Sequence, residues 1–278
     1  MVVGAPRSDQ PIGMFDSGVG GLTVARAVID VLPNEDVIYL GDTARCPYGP
    51  RPVEQVRRFA LEIMDTLVRE DVKLLVVACN AAASAALSEA QDRYDIPVLS
   101  VIEPGVRAAI AASRNGRIGL IGTEVTISSR SYDEAVRRSK SGVTLISQAC
   151  PRFVEFVESG DSTSNQLLRV AEEYLAPLKG SSVDTVILGC THYPLLSGVI
   201  RYVLGNDVVL VSSAEVTADE VYVRLKGGAL LNSGNEPGTH RFIATGGQAM
   251  LGDLAARLLG SAFTQVEHRP WLQEPARP

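Results

Sequence analysis

The chain of 278 residues is short of the features that staple small folds together or hold metals. Its four cysteines, at 46, 79, 150 and 190, are widely spaced and form no Cys-x-x-Cys pair, so neither a zinc ribbon nor a thioredoxin-like site is indicated. At this length one large domain or two of ordinary size can bury a substantial core without disulfides, and the cysteines are expected to be free thiols. Positive charge is in deficit, with 26 Lys and Arg against 32 Asp and Glu and a formal charge of −6. That balance favours neither nucleic acid nor an anionic membrane as a direct partner. The N-terminus lacks a basic stretch followed by an apolar one, and no later apolar run is long enough to span a bilayer, so a cytoplasmic protein is expected.

What is present is a regular alternation of short β-branched runs with helix-like segments. Strands are expected at Ile12–Phe15, Val37–Leu40, Leu74–Ala78, Val98–Val101, Arg117–Ile121, Val143–Ile146, Thr185–Leu188, Val208–Val211 and Arg241–Ala244. Helices are expected over Leu22–Val31, Val53–Arg69, Ala82–Arg93, Gln166–Leu175 and Leu254–Leu259, several of them after small polar residues able to cap them. This order implies an α/β fold with mainly parallel sheets flanked by helices. Residues 1–10 and 269–278, rich in Pro and polar groups, read as loose tails.

The order of elements also repeats. Ile12-Gly13-Met14-Phe15-Asp16-Ser17-Gly18 resembles Ile118-Gly119-Leu120-Ile121-Gly122-Thr123-Glu124. About one hundred residues separate Val37–Asp42 from Thr144–Ala149, and also Val72–Cys79 from Val183–Cys190. Because buried strands draw on few residue types, likeness at this level also arises between unrelated α/β segments. Read as a true repeat, it gives two similar domains: residues 1–102 with 213–278, and residues 103–212. Each then places one cysteine, Cys79 or Cys190, straight after a buried strand, at the edge where open parallel sheets bind ligands.

A lone cysteine at a strand end is usually a small buried hydrophobe, and it is the paired placement that points to chemistry. Both Cys79 and Cys190 pass from a strand to an expected helix start, where unpaired N–H groups stabilise a thiolate. His192, one of three histidines, lies two residues beyond Cys190 and could tune it or exchange a proton with it. Asp16 ends the corresponding first strand and could serve Cys79, although Asp before Gly is also a routine turn residue. Cys46 and Cys150 each precede a proline, lie outside the repeat relation and keep a structural reading. The run Gly18-Val19-Gly20-Gly21 lacks the third glycine of a dinucleotide fingerprint and any Gly-Lys-Ser/Thr ending. It is either a close backbone approach to a small ligand or a purely structural turn, and no cofactor or metal is indicated.

Through "FDSGVGGLTV", "YLGDTARCPYG", "ACNAAASA", "CPRFVEFVESG" and "LGCTHYPLL", the stretch from Ile12 to Gly260 resembles the glutamate racemase family. The resemblance implies two α/β domains related by a pseudo-twofold, with an active site between them that interconverts L- and D-glutamate without pyridoxal phosphate or metal. It also implies a homodimer and a supply of D-glutamate for peptidoglycan synthesis. In that family pattern Cys79 acts on the α-proton of D-glutamate and Cys190 on that of L-glutamate. Asp16 assists the first, and His192 with Glu158 the second. Ser17, Tyr48, Gly49, Asn80, Thr123, Thr126 and Thr191 fall where the family contacts substrate. At Ala81 the family usually has Thr, so a hydroxyl is missing here, and weaker or rearranged binding is expected.

Racemisation needs proton-transfer groups on both faces of one carbon, and thiols, with an unperturbed pKa of about 8.5, suit that task near neutrality. An aspartate racemase could share the paired cysteines and the double fold, but such enzymes generally carry an acidic residue after Cys-Thr where this chain has His192. A protein of another class would keep the racemase scaffold for binding a partner such as DNA gyrase, which some family members are reported to inhibit, and only Ala81 leans that way.

Overall fold

The computed structural model describes residues 5–260 and 265–271. Among the described residues ten strands form two sheets in which every pairing is parallel. The first four are β1 (Ile12–Asp16), β2 (Val37–Gly41), β3 (Leu74–Val77) and β4 (Val98–Ser100). The next four are β5 (Arg117–Gly122), β6 (Thr144–Ala149), β7 (Thr185–Gly189) and β8 (Val209–Val211), followed by β9 (His240–Ala244) and β10 (Val266–His268). The intervening helices are α1 (Leu22–Val31), α2 (Val53–Arg69), α3 (Asn80–Arg93), α4 (Ile102–Ala112), α5 (Glu124–Ser128) and α6 (Ser131–Ser139). They continue with α7 (Arg152–Glu158), α8 (Asn165–Gly180), α9 (Ser197–Leu204), α10 (Ala214–Gly227) and α11 (Gln248–Leu259).

The sheet orders are β10-β9-β2-β1-β3-β4 and β6-β5-β7-β8. The inner order of the first sheet, β2-β1-β3-β4, is therefore the order of the whole second sheet. Registers correspond too: Ile12 pairs with Val37 and Leu74, as Ile118 pairs with Leu145 and Thr185. The sequence repeat is thus a structural one, and β9 and β10 return from the C-terminal part of the chain to extend the first sheet. In each sheet the chain leaves the first strand toward one side and comes back on the other. A crevice opens at the carboxyl ends of the two strands flanking that switch, β1 and β3 or β5 and β7, where ligands bind in such folds.

Helices on both faces explain the uninterrupted apolar strands, since β3 reads Leu-Leu-Val-Val with all four residues buried. In α2 the buried positions Val56, Phe59, Ala60, Ile63, Met64, Leu67 and Val68 follow the 3–4 spacing of one helical face. The cluster that includes Phe59, Ile63 and Val77 of the first sheet's layers runs on into Ile118, Tyr132 and Ile187, so one core spans both sheets.

Several expectations need correction. Residues 7–10 are not loose: Lys73 Nζ donates to Ser8 O at 2.6 Å, and Gln10 is buried. At the other end, β10 was not expected, and residues 269–271 dock, with Arg269 N donating to Ala244 O at 2.9 Å. Residues 1–4 and 272–278 of the expected tails lie outside the described residues. Side-chain capping is seen for α8, where Ser164 accepts from Leu167 N at 3.1 Å. The helix expected over Leu254–Leu259 starts earlier, at Gln248, and α4, α5, α6, α7, α9 and α10 lie in stretches for which no helix bounds were expected.

Candidate active site

Residues that end equivalent strands meet in one cavity. Ser17 follows β1 and Cys79 lies two residues after β3, while Thr123 follows β5 and Cys190 follows β7. All four line the same enclosed space, together with Tyr48, Gly49, Asn80, Ala81, Thr191 and His192. Its volume is about 20 Å³, room for little more than one water. An amino acid enters only if the walls part.

The walls come from both sheets and interlock. A Cβ on Gly49 would lie 2.9 Å from Thr123 Cβ, and Val125 N donates to Gly49 O at 3.3 Å. The Gly18–Gly21 run serves packing: Gly18 abuts Cys46, Gly20 abuts Thr191 and His192, and Gly21 abuts Asp16 and Tyr39.

Cys79 occupies the N-cap position of α3, and Ala83 N is the first helical donor, bonding Cys79 O at 2.8 Å. Burial pushes the Cys79 thiol up to about 12, and the Asp16 charge adds to this; hydrogen bonds from the Ser17 side chain and the backbone of Ala82 and Ser17 oppose it. Cys79 Sγ lies 3.5 Å from Ser17 Oγ. Asp16 is fully buried, and its Oδ2 accepts from Gly18 N at 3.3 Å and Gly21 N at 3.0 Å. Asp16 Oδ1 and Asn80 Nδ2 are buried without a hydrogen-bond partner among the described residues. Asn80 Oδ1 accepts from Tyr132 OH at 2.6 Å, and Asn80 is among the residues that line the cavity.

On the opposite wall Cys190 leads into a 3-10 turn, Tyr193–Leu196, rather than directly into an α-helix. The expected helix-dipole support therefore exists at Cys79 and not at Cys190. Cys190 has a histidine instead, with its Sγ 3.8 Å from His192 Nδ1. His192 Nε2 lies 3.6 Å from Glu158 Oε1. Burial by itself would lower the His192 pKa, but the contacts with Cys190 and Glu158 outweigh it and raise it to about 10. Glu158 is held below the usual carboxylate range, chiefly by the His192 ring beside it.

A family model described as Asp/Glu/hydantoin racemase matches residues 22–221. The chain belongs to that family. It is 54% identical over 264 residues to a glutamate racemase of Parafrankia sp., covering 95% of each chain. Among solved structures it is similar to a glutamate racemase from Bacillus anthracis, with a TM-score of 0.90 and 42% identity over 95% of this chain and 99% of that one. A glutamate racemase from Francisella tularensis in complex with D-glutamate matches with a TM-score of 0.87 and 32% identity, covering 94% and 98% of the two chains.

Within this racemase-family cavity, three of the sequence-derived candidates stand behind the wall rather than on it: Asp16, Thr126 and Glu158. Thr126 bonds Thr123 at 3.1 Å. One residue given a structural reading lies on the wall: Cys46, whose Sγ approaches Glu158 Oε1 at 3.5 Å. Cys46 has no counterpart in the repeat, yet it stands two residues before Tyr48, which lines the same cavity. Cys150 is buried away from the cavity wall, its carbonyl accepting from Tyr193 OH at 2.8 Å, in keeping with a structural part. Among the described residues no helix is long and apolar enough to cross a membrane.

Proposed function

We propose that this protein is a glutamate racemase that uses Cys79 and Cys190 as paired acid and base, with the D-isomer feeding peptidoglycan synthesis. The observation that carries the reading is that the two thiols line one cavity from equivalent strand ends of two sheets with the same strand order. The relatives named glutamate racemase support the choice of substrate.

Removing the α-proton leaves a planar carbanion, and returning a proton on the other face inverts the centre, so two groups are needed or one must move. With L-glutamate bound, Cys190 as thiolate takes the α-proton and Cys79 as thiol gives one to the opposite face, yielding D-glutamate. The reverse reaction exchanges the roles. His192, with Glu158 behind it, holds a proton beside Cys190 Sγ. Asp16, whose charge acts on the Cys79 thiol, is assigned to assist Cys79. The carbanion's charge is met by donors fixed in advance: the unpartnered Asn80 amide, the hydroxyls of Ser17, Thr123 and Thr191, and free N–H groups at the start of α3. A cavity this small excludes water once closed, which strengthens each of those bonds.

Closing and opening require that the units move as bodies, and we assign residues 1–102 with 213–278 to the Cys79 side and 103–212 to the Cys190 side. The working form is taken to be a homodimer, as the resemblance implies; light scattering that gives only monomer would remove that part.

The test is incubation of L- or D-glutamate with the protein in heavy water, followed by chiral chromatography and mass spectrometry. Product of the opposite hand carrying one deuterium at Cα is expected. Conversion of aspartate and not glutamate would overturn the substrate.

A further inference from the structure

The carboxylate of Asp42, just past the end of β2, is fully buried and lies behind the cavity wall. Four donors converge on it. Oδ1 accepts from Thr245 Oγ1 at 2.7 Å and from Trp271 Nε1 at 2.6 Å. Oδ2 accepts from Arg45 Nε at 2.6 Å and from the hydroxyl of Tyr48. A carboxylate offers about four acceptor sites, so this one is saturated. Thr245 follows β9 and Trp271 follows β10, so the carboxyl ends of three neighbouring strands are tied at one point. The Arg45 guanidinium is sandwiched between the rings of Trp271, 4.0 Å from its centroid, and Phe59, 4.1 Å away. Phe59 in turn packs on Tyr48, with ring centroids 5.7 Å apart.

Of these residues only Tyr48 lines the cavity. Its hydroxyl faces Asp42, so the ring orientation is set from behind, and burial together with the Asp42 charge keeps the phenol protonated as a donor. We propose that Trp271 is a positioning residue for the active site: the segment 265–271 is a strap that, through Asp42, fixes Tyr48 and the adjoining Gly49 against bound substrate. The inference rests on the glutamate reading above for the identity of the substrate, not for the existence of the strap. It gives the C-terminal segment, expected to be a loose tail, a task in binding.

Because Trp271 is the only tryptophan of the chain, one indole N–H signal in a ¹H–¹⁵N spectrum reports on the strap. Two changes are expected to move that signal: Tyr48→Phe in the free protein, and saturating glutamate in the unmodified one. Trp271→Phe keeps an aromatic ring for Arg45 but loses the N–H. Its KM for glutamate is expected to rise about tenfold, the cost of losing one hydrogen bond to a charged group. Its kcat should stay within twofold, since a wall that holds substrate and transition state alike acts on KM. A tryptophan that merely stabilised the fold would lower the melting temperature without a signal shift on adding glutamate and without the split between KM and kcat. If Tyr48→Phe moves the signal but glutamate neither moves it nor is racemised, the substrate reading fails and the strap stands. If glutamate is racemised while saturating glutamate leaves the indole signal fixed, the strap is overturned.

Discussion

Gly20 lies so close against Thr191 that a Cβ on the glycine would sit 2.4 Å from the threonine Oγ1 and 3.0 Å from His192 Nδ1. Gly20 stands beside the first sheet and Thr191 follows β7 of the second, so this contact joins the two sides of the cavity.

Gly20→Ala is therefore expected to oppose closure. Overpacking of this kind costs about 1–3 kcal/mol, and here the units can relieve it by separating. The expected outcome is a KM for glutamate raised roughly tenfold, with a melting temperature lowered by only a few degrees. Steady-state kinetics and calorimetry on the variant check both, and unchanged kinetics would mean that the observed contact is not part of the working state.

The two thiols are expected to fail separately. Cys79→Ala and Cys190→Ala should each lower racemisation by a thousandfold or more, about the contribution of a positioned acid or base. In heavy water, Cys79→Ala should still exchange the α-proton of L-glutamate slowly, and Cys190→Ala that of D-glutamate. Exchange with the opposite preference would reverse the assignment of faces.

The His192–Glu158 contact carries a pH signature. His192 is raised from 6.5 to about 10 in the folded protein, so the protonated ring is favoured by folding. Its contribution to stability is fully present below pH 6.5 and is lost as the pH rises through about 10. Glu158 is shifted the other way, below 4.5, so its contribution is present above that pH and falls away in acid. The stability difference between the unmodified protein and His192→Asn should accordingly be largest between about pH 5 and 6.5 and shrink toward pH 10. Urea unfolding across that range measures it, and a difference that grows with pH would contradict the charged pair.

Ala81 lines the cavity with a methyl group at the position where the family resemblance implies a threonine. Ala81→Thr should restore a donor, and one added hydrogen bond is worth about 1 kcal/mol. A KM about fivefold lower follows from that figure, with kcat little altered. A higher KM would show that the wall has closed over the space the hydroxyl needs.

Much of the fold was legible because buried parallel strands write themselves as short apolar runs. β1, β2, β3 and β7 lie within a residue or so of the apolar runs that signal them, and α1 and α2 match their segments end to end. The weaker elements shared a cause. In α10 the buried positions are Ala214, Thr217, Ala218, Val221 and Leu225, a narrow stripe against α1 and α4 that charged neighbours obscure. β10 is three residues long, and its place is given by pairing with β9, which no local pattern records.

The cysteines at the strand ends, the order of strands and helices, and the repeat that relates Cys79 to Cys190 all belong to the sequence alone, because local periodicity and spacing carry them. Only the tertiary structure decided that the two strand ends share a cavity, that Cys46 joins its wall, that Asp16 and Glu158 stand behind it, and that Trp271 reaches Asp42. Those are contacts between side chains tens to hundreds of positions apart. They are settled by how whole surfaces pack and how buried donors find acceptors, which no short window of residues encodes.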